Sequence, residues 1–190
     1  MGRSAGGRKP VRIGVLGASG SGASTLGRAL SRRLELRYFD SDDYYHGPSD
    51  PPFRNPRSPL ERYELILRDL GGEGSWVLGG GVAGWEPQPE LRFTLLVLLW
   101  APAELRVKRL RERERERFGA RVLSGGDMHR DHEDFIDWAR RYDIGGIDGK
   151  TRARHEAYLL DQACPVLRLT EVRPPDELVT IVFEQFDARG

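Results

Sequence analysis

Nine residues constrain this chain more than any others. Gly17 to Thr25 read G-A-S-G-S-G-A-S-T, preceded by the apolar run Val11-Arg12-Ile13-Gly14-Val15-Leu16 and followed by Leu26-Gly27-Arg28-Ala29-Leu30-Ser31-Arg32-Arg33-Leu34. That order is strand, glycine-rich turn, helix. The spacing matches the phosphate-binding pattern G-x-x-x-x-G-K-[ST] at every defined position but one. Gly17 and Gly22 are the fixed glycines and Ser24 is the hydroxyl that reaches Mg²⁺, but Ala23 stands at the lysine position. Glycines let successive N–H groups turn inward toward phosphate oxygens, and the following helix adds free N–H groups and the positive end of its dipole. Gly17, Ala18, Ser19, Gly20, Ser21, Gly22, Ala23, Ser24 and Thr25 are therefore the predicted nucleotide-phosphate residues. What the loop lacks is one mobile cation on the β- and γ-phosphates.

At 190 residues the chain is expected to be one domain over residues 11–190, with a lid at about 119–149, behind a glycine-rich, basic segment 1–10 expected to be disordered. With 30 basic and 29 acidic residues the net charge is +1, so there is no overall nucleic-acid or membrane signature. Lys9, Lys108 and Lys150 are the only lysines; the remaining basic residues are arginines, suited to bidentate phosphate or carboxylate contacts. The lone Cys164 excludes an internal disulfide and suits a reducing cytosol. No apolar stretch has the length of a signal peptide or a membrane span, so a cytoplasmic location is expected.

Strands are predicted at Val11–Leu16, Leu36–Phe39, Ser75–Leu78, Phe93–Trp100 and Val166–Leu169. Helices are predicted at Gly22–Leu34, Leu60–Leu70, Pro102 to about Phe118, Glu133–Tyr142, Thr151–Leu160 and Asp176–Phe186. The unbroken apolar run after Thr94 implies burial on both faces, as in a parallel sheet. Five prolines between Gly47 and Pro59 force an irregular loop. Strands alternating with helices predict an α/β fold, a five-stranded parallel sheet covered on both faces.

In such a sheet, ligands bind beyond the carboxyl ends of the strands. Three stretches fall there: the glycine-rich loop, Asp40-Ser41-Asp42-Asp43 and Gly79-Gly80-Gly81. Phosphoryl transfer needs a carboxylate on the acceptor hydroxyl and oxygen ligands for Mg²⁺. Asp42 is the candidate for the acceptor and Asp40, with Ser24, for the metal; Asp43 could trade roles with Asp42. A solvated acidic turn is the plainer alternative. Gly79–Gly81 would let backbone approach an acceptor, and Trp85 with Tyr44 or Tyr45 could wall its pocket or simply pack. Arg54, Arg57 and Arg62, around the proline-rich loop, are the candidates to hold the acceptor if it is anionic; exposed surface arginines are the plainer reading for at least two of them. Arg109, Arg113, Arg117, Arg152 and Arg154 flank the lid and are the cations available to the transition state. His129 and His132 form H-x-x-H, read as part of a polar lid.

The arrangement resembles the nucleoside monophosphate kinase group of P-loop proteins from Val11 onward. G-A-S-G-S-G is similar to the phosphate loop of uridine kinases, and Asp42-Asp43-Tyr44-Tyr45 resembles the acid-plus-aromatic motif of nucleoside kinases. Phe39-Asp40-Ser41-Asp42 with Gly79-Gly80-Gly81 resembles shikimate kinase, where the second aspartate and the glycine triplet contact the acceptor. G-G-D-M-H and T-R-A-R-H-E-A also look like bacterial proteins described as adenylate-kinase-like or AAA-family ATPases. The resemblance implies a P-loop NTPase fold, ATP and Mg²⁺ as cofactors, and phosphoryl transfer to a small polar acceptor, with a nucleotide-binding sensor as the alternative. Ala23 departs from the pattern; an arginine among Arg109, Arg113, Arg152 and Arg154, or Lys150, is expected to supply the missing charge.

Overall fold

Apolar runs alternating with amphipathic stretches assemble an open sheet of five parallel strands. They are β1 (Arg12–Gly17), β2 (Arg37–Asp40), β3 (Trp76–Gly79), β4 (Leu95–Leu99) and β5 (Val166–Leu169), in the order β2-β3-β1-β4-β5. The computed structural model describes residues 9–72 and 74–187; residues 1–8 of the expected disordered segment lie outside it. Seven helices connect and cover the strands: α1 (Ala23–Leu34), α2 (Ser41–Tyr45), α3 (Pro59–Leu70), α4 (Ala103–Phe118), α5 (His129–Arg140), α6 (Arg152–Leu160) and α7 (Pro175–Asp187). No helix among the described residues is long and apolar enough to cross a membrane.

Side chains alternate across each strand, and this sorts the core into two layers. Ile13, Val15, Val77, Leu95, Val97 and Leu99 pack under Leu26 and Leu30 of α1 and Leu178 and Val182 of α7. On the other face Leu16, Leu96 and Leu98 meet Leu159 of α6, while Trp76 and Leu78 meet Ile66 and Leu70 of α3. β1 and β4 are buried along their whole lengths, as the continuous apolar run requires. The strand order reverses at β1, so its carboxyl end opens the crevice where this architecture binds ligands.

Several boundaries differ from the sequence expectation for local reasons. Leu36 is not in β2, because its N–H donates to the Ser31 carbonyl in the turn that closes α1. β4 starts at Leu95 rather than Phe93, since the Thr94 hydroxyl both accepts from the Arg12 N–H and donates to the Arg12 carbonyl. The acidic stretch after β2 is a helix rather than a turn: the Asp40 carboxylate accepts from the Asp42 N–H at 3.2 Å and caps α2. α5 starts at His129 instead of Glu133, because buried His132 continues the stripe made by Ile136 and Ala139. That stripe packs on Val107 and Leu110 of α4.

The α4–α5 seam rests on few side chains, with Ile136 fully buried among them. Ile136→Ala should cost about 2–5 kcal/mol of stability in urea denaturation. The same change at Ile144, 83 % exposed, should stay within about 0.5 kcal/mol.

Candidate active site

The loop between β1 and α1 takes its shape from α4. Gly20 has φ 79°, and a Cβ there would sit 2.6 Å from the Arg106 carbonyl oxygen, so only glycine lets the α4 backbone come this close. Arg109, one turn further along α4, donates to the carbonyls of Ser21 at 3.1 Å and Gly20 at 3.4 Å. In a trans peptide the N–H points opposite to its carbonyl. Holding the Ser21 carbonyl therefore turns the Gly22 N–H to the other side of the loop. Among the described residues, the N–H groups of Ser19, Gly20 and Gly22 donate to no protein acceptor. Gly22 caps α1 without a side-chain hydrogen bond, which leaves first-turn donors open to an anion.

The Ala23 methyl is buried with the Leu26 and Leu99 cluster, and its N–H donates to the inward Ser21 hydroxyl at 3.4 Å. Ser24 lies beside the Tyr38 phenol, whose O–H donates to Asp40 Oδ2 at 2.9 Å. Burial, reinforced by the Asp40 charge, pushes the Tyr38 hydroxyl up, so it remains a donor at neutral pH. Asp40 also lies 3.5 Å from the Arg28 guanidinium. The expected metal-side carboxylate is thus placed one residue contact from Ser24, already committed to Tyr38, Arg28 and the α2 cap.

α2 carries Asp42 and is pinned at both ends. The Ser41 hydroxyl accepts the Gly81 N–H at 3.0 Å. Gly80 has φ 87°, and a Cβ there would run into that hydroxyl. Gly79 lies under the Tyr38 phenol. The glycine triplet therefore seats α2 and β2 against β3. At the other end Arg57 donates to the carbonyls of Asp43, Tyr44 and His46, a helix-capping role rather than a surface one.

Asp42 projects from this platform onto Lys150 Nζ at 3.2 Å. Lys150 holds the Asp42 carboxyl below the usual carboxylate range against the opposing effect of burial, with smaller pulls from His46 and Arg113. Asp43 is pushed up, first by burial and then by Asp40 and Asp42. Two neighbouring carboxylates thus have opposite tendencies, and Asp42 is the one held ionised.

The remaining candidates are distributed unevenly. Arg113 pairs with Glu114 at 2.7 Å while its charge reaches Asp42. Arg154 donates to the Gly149 carbonyl at 3.0 Å and braces the turn that carries Lys150. Arg152 lines a small cleft with Tyr142, Glu156 and Arg168. Arg54 is drawn away to Asp131 at 2.6 Å. Arg117 lies over the Phe53 ring. Trp85 is buried in the Tyr44–Ile66–Trp76 cluster, and the Arg62 guanidinium lies over its ring at 5.4 Å and over Tyr45 at 4.4 Å. Arg62 Nε is buried without a partner. His129 Nδ1 lies 3.1 Å from the Val122 carbonyl, and His132 is buried.

Three groups beneath the site escaped sequence reasoning. Tyr38 shares a strand face with Asp40 two residues on, a signal that alternation could have supplied. Arg106, completely buried, donates to the carbonyls of Ala101 and Ala139 and to Asp143, bolting α4 to the end of α5. His155 is buried below Gly81 with Nδ1 2.9 Å from the Tyr142 hydroxyl. Nothing in the charge pattern marks the last two as interior.

A parallel α/β sheet with the phosphate loop after its central strand defines a P-loop protein, and comparison with known proteins agrees. A solved shikimate kinase from Bacteroides thetaiotaomicron superposes with a TM-score of 0.52 at 19% identity, covering 93% of this chain and 98% of that one, a likeness of fold. The chain belongs to the family of the uncharacterized protein YqaC of Bacillus subtilis (strain 168), to which it is 40% identical over 172 residues, 90% of this chain and 95% of that protein. It is also 33% identical over 114 residues to a shikimate kinase of Microcystis aeruginosa (strain NIES-843 / IAM M-2473), spanning 54% of this chain and 58% of that one. No protein-family model matches.

His155 gives the site a measurable acid sensitivity. Burial, then the Lys150 charge, depresses its imidazole from 6.5 to about 4. Between those values the unfolded chain binds a proton that the folded chain refuses, so stability falls as pH drops from about 6.5 toward 4. Denaturation at pH 7 and pH 5 should show a loss of about 2 kcal/mol at most from this residue. The loss should shrink in His155→Gln.

Proposed function

We propose that this protein is an ATP-dependent phosphotransferase acting on a small polar acceptor. One arrangement supports the reading: an ionised carboxylate, Asp42, lies beyond the carboxyl end of β2 and is linked through Asp40 and Tyr38 to Ser24 of the loop. Ser24 meets Tyr38, Tyr38 donates to Asp40, and Asp40 accepts the Asp42 N–H. A nest of free amides and an oriented carboxylate are the two parts that phosphoryl transfer requires. The similarity to a shikimate kinase supports the same class, within which the motifs also resemble nucleoside monophosphate kinases.

The residues have distinct tasks in this reading. Amides of residues 17–25 cradle the phosphates, with Arg109 keeping the carbonyls of Gly20 and Ser21 turned away. The cleft lined by Leu99, Trp100, Ala101, Arg109, Val172 and Arg173 lies beside the loop and suits the nucleotide base. Ser24 and, through water, Asp40 would hold Mg²⁺, which when bound neutralises phosphate charge. Asp42 orients the acceptor hydroxyl and takes up its proton as the bond to the γ-phosphorus forms and the bond from that phosphorus to the bridging oxygen breaks, with ADP as the leaving group. Gly79–Gly81 and Asp43 border the acceptor side. Arg62, framed by Tyr45 and Trp85 with an unpartnered Nε, supports an anionic acceptor better than Arg54, which is spent on Asp131. The segment 119–149 acts as the lid, tied to the proline-rich loop by Arg121–Asp50 at 3.0 Å and Arg54–Asp131. The free Cys164 suits a cytoplasmic setting.

A second reading, a nucleotide sensor with no turnover, draws on the buried methyl of Ala23 where a lysine would stand. Labelled ATP, Mg²⁺ and a library of hydroxyl acceptors separate the two. Transfer of label to an acceptor supports the kinase. Calorimetric binding of Mg-ATP with no transfer supports the sensor. In the kinase, Asp42→Asn should lower kcat about 10²–10⁴-fold while Mg-ATP still binds.

A further inference from the structure

The structure assigns to Lys150 the cationic contact with the terminal phosphate that the loop itself cannot make. This deepens the phosphotransferase reading and rests on it. The loop has the amides, the helix terminus and the hydroxyl of a phosphate site, but a buried methyl at position 23. The missing charge must come from another element, and the surrounding cations can be sorted by what they already hold. Arg106 is buried against Asp143, Arg109 is bonded to two loop carbonyls, Arg113 is paired with Glu114, and Arg57 caps α2. Arg154 is bonded to the Gly149 carbonyl, and Arg28 lies over the Tyr38 ring at 4.4 Å.

Lys150 differs from all of these. It is a lysine in a chain with only three, and it is brought 108 residues across the sequence to one carboxylate. That carboxylate is Asp42, joined to Ser24 by the successive contacts through Asp40 and Tyr38. The Asp42 side chain is 57 % exposed and the Lys150 side chain 27 %, so the pair is not locked in the interior and is cheap to exchange. A lysine is also the right device for exchange: a compact charge on a flexible four-carbon stem. The turn bearing it is fixed, because the Thr151 hydroxyl caps α6 and Arg154 holds Gly149.

The exchange has a consequence for Asp42. While Lys150 sits on it, an Asp42 carboxylate oxygen is occupied at 3.2 Å. When the ammonium moves to the γ-phosphate, that oxygen is free to meet an acceptor hydroxyl. Nucleotide binding and release of the acceptor carboxylate are thus one event. The exchange is of contacts alone, and no covalent bond forms or breaks in it.

Calorimetry with Mg-ATP and Mg-ADP tests this on the full chain. Lys150→Met keeps the apolar stem and removes the charge. It should weaken Mg-ATP about tenfold or more and Mg-ADP less than about twofold, as expected for one lost charge-assisted contact to the terminal phosphate. Lys150→Arg, which keeps the charge, should recover most of the Mg-ATP affinity, and a thermal melt checks that each variant is folded. Equal effects on both nucleotides, or none, would overturn the assignment while leaving the kinase reading intact. Wild-type protein that binds neither nucleotide would overturn both. Wild-type protein that binds but transfers to no acceptor would sink the kinase reading alone.

Discussion

The approach of α4 to Gly20 is the contact on which the rest of the site depends. A helix carbonyl within van der Waals reach of a loop backbone leaves no room for a side chain, and it fixes where every neighbouring peptide can point. Arg109 completes the effect by binding the loop carbonyls from outside. The shape of the loop is therefore set as much by α4 as by its own glycines. Arg106 then passes this order on, since its guanidinium ties the start of α4 to the end of α5. The buried seam of Val107, Leu110, Ile136 and Ala139 keeps the two helices together.

A second platform carries Asp42. α2 is only five residues long and would not persist alone. It is stable because Ser41 fills the space left by Gly80, Arg57 satisfies its last carbonyls and Asp40 its first amide. Those contacts fix the helix that carries Asp42. The Asp42–Lys150 pair, at 3.2 Å, sits on this platform with both side chains partly exposed. Weak surface ion pairs contribute little to stability. Their value here lies in placing opposite charges at one spot without locking them.

Much of this was legible in the chain itself, wherever the signal is local. The loop, its flanking strand and helix, and the wholly buried β4 follow from glycine spacing and unbroken apolar runs. The position of Asp42 beyond β2 follows from strand length alone. Misplaced boundaries had equally local causes that composition hides: Leu36 gives its amide to the end of α1, and buried His132 extends α5 under a polar name. The arginines were the least readable residues, because a guanidinium can be solvated, paired or buried, and sequence does not distinguish these. Arg57, Arg106 and Arg109 proved to be fasteners of backbone carbonyls, and Arg54 was drawn to α5.

The sequence by itself determined the parallel α/β sheet, the glycine-rich loop after β1 and the place of the Asp42 carboxylate beyond β2, since each depends on periodicity or on residues within a few positions of one another. Only the tertiary structure decided which cations reach that carboxylate. Lys150 and Asp42 meet across 108 residues, and α4 closes on Gly20 from a separate stretch of chain. Such encounters depend on how packed layers bring distant turns together, and no pattern along the chain specifies them.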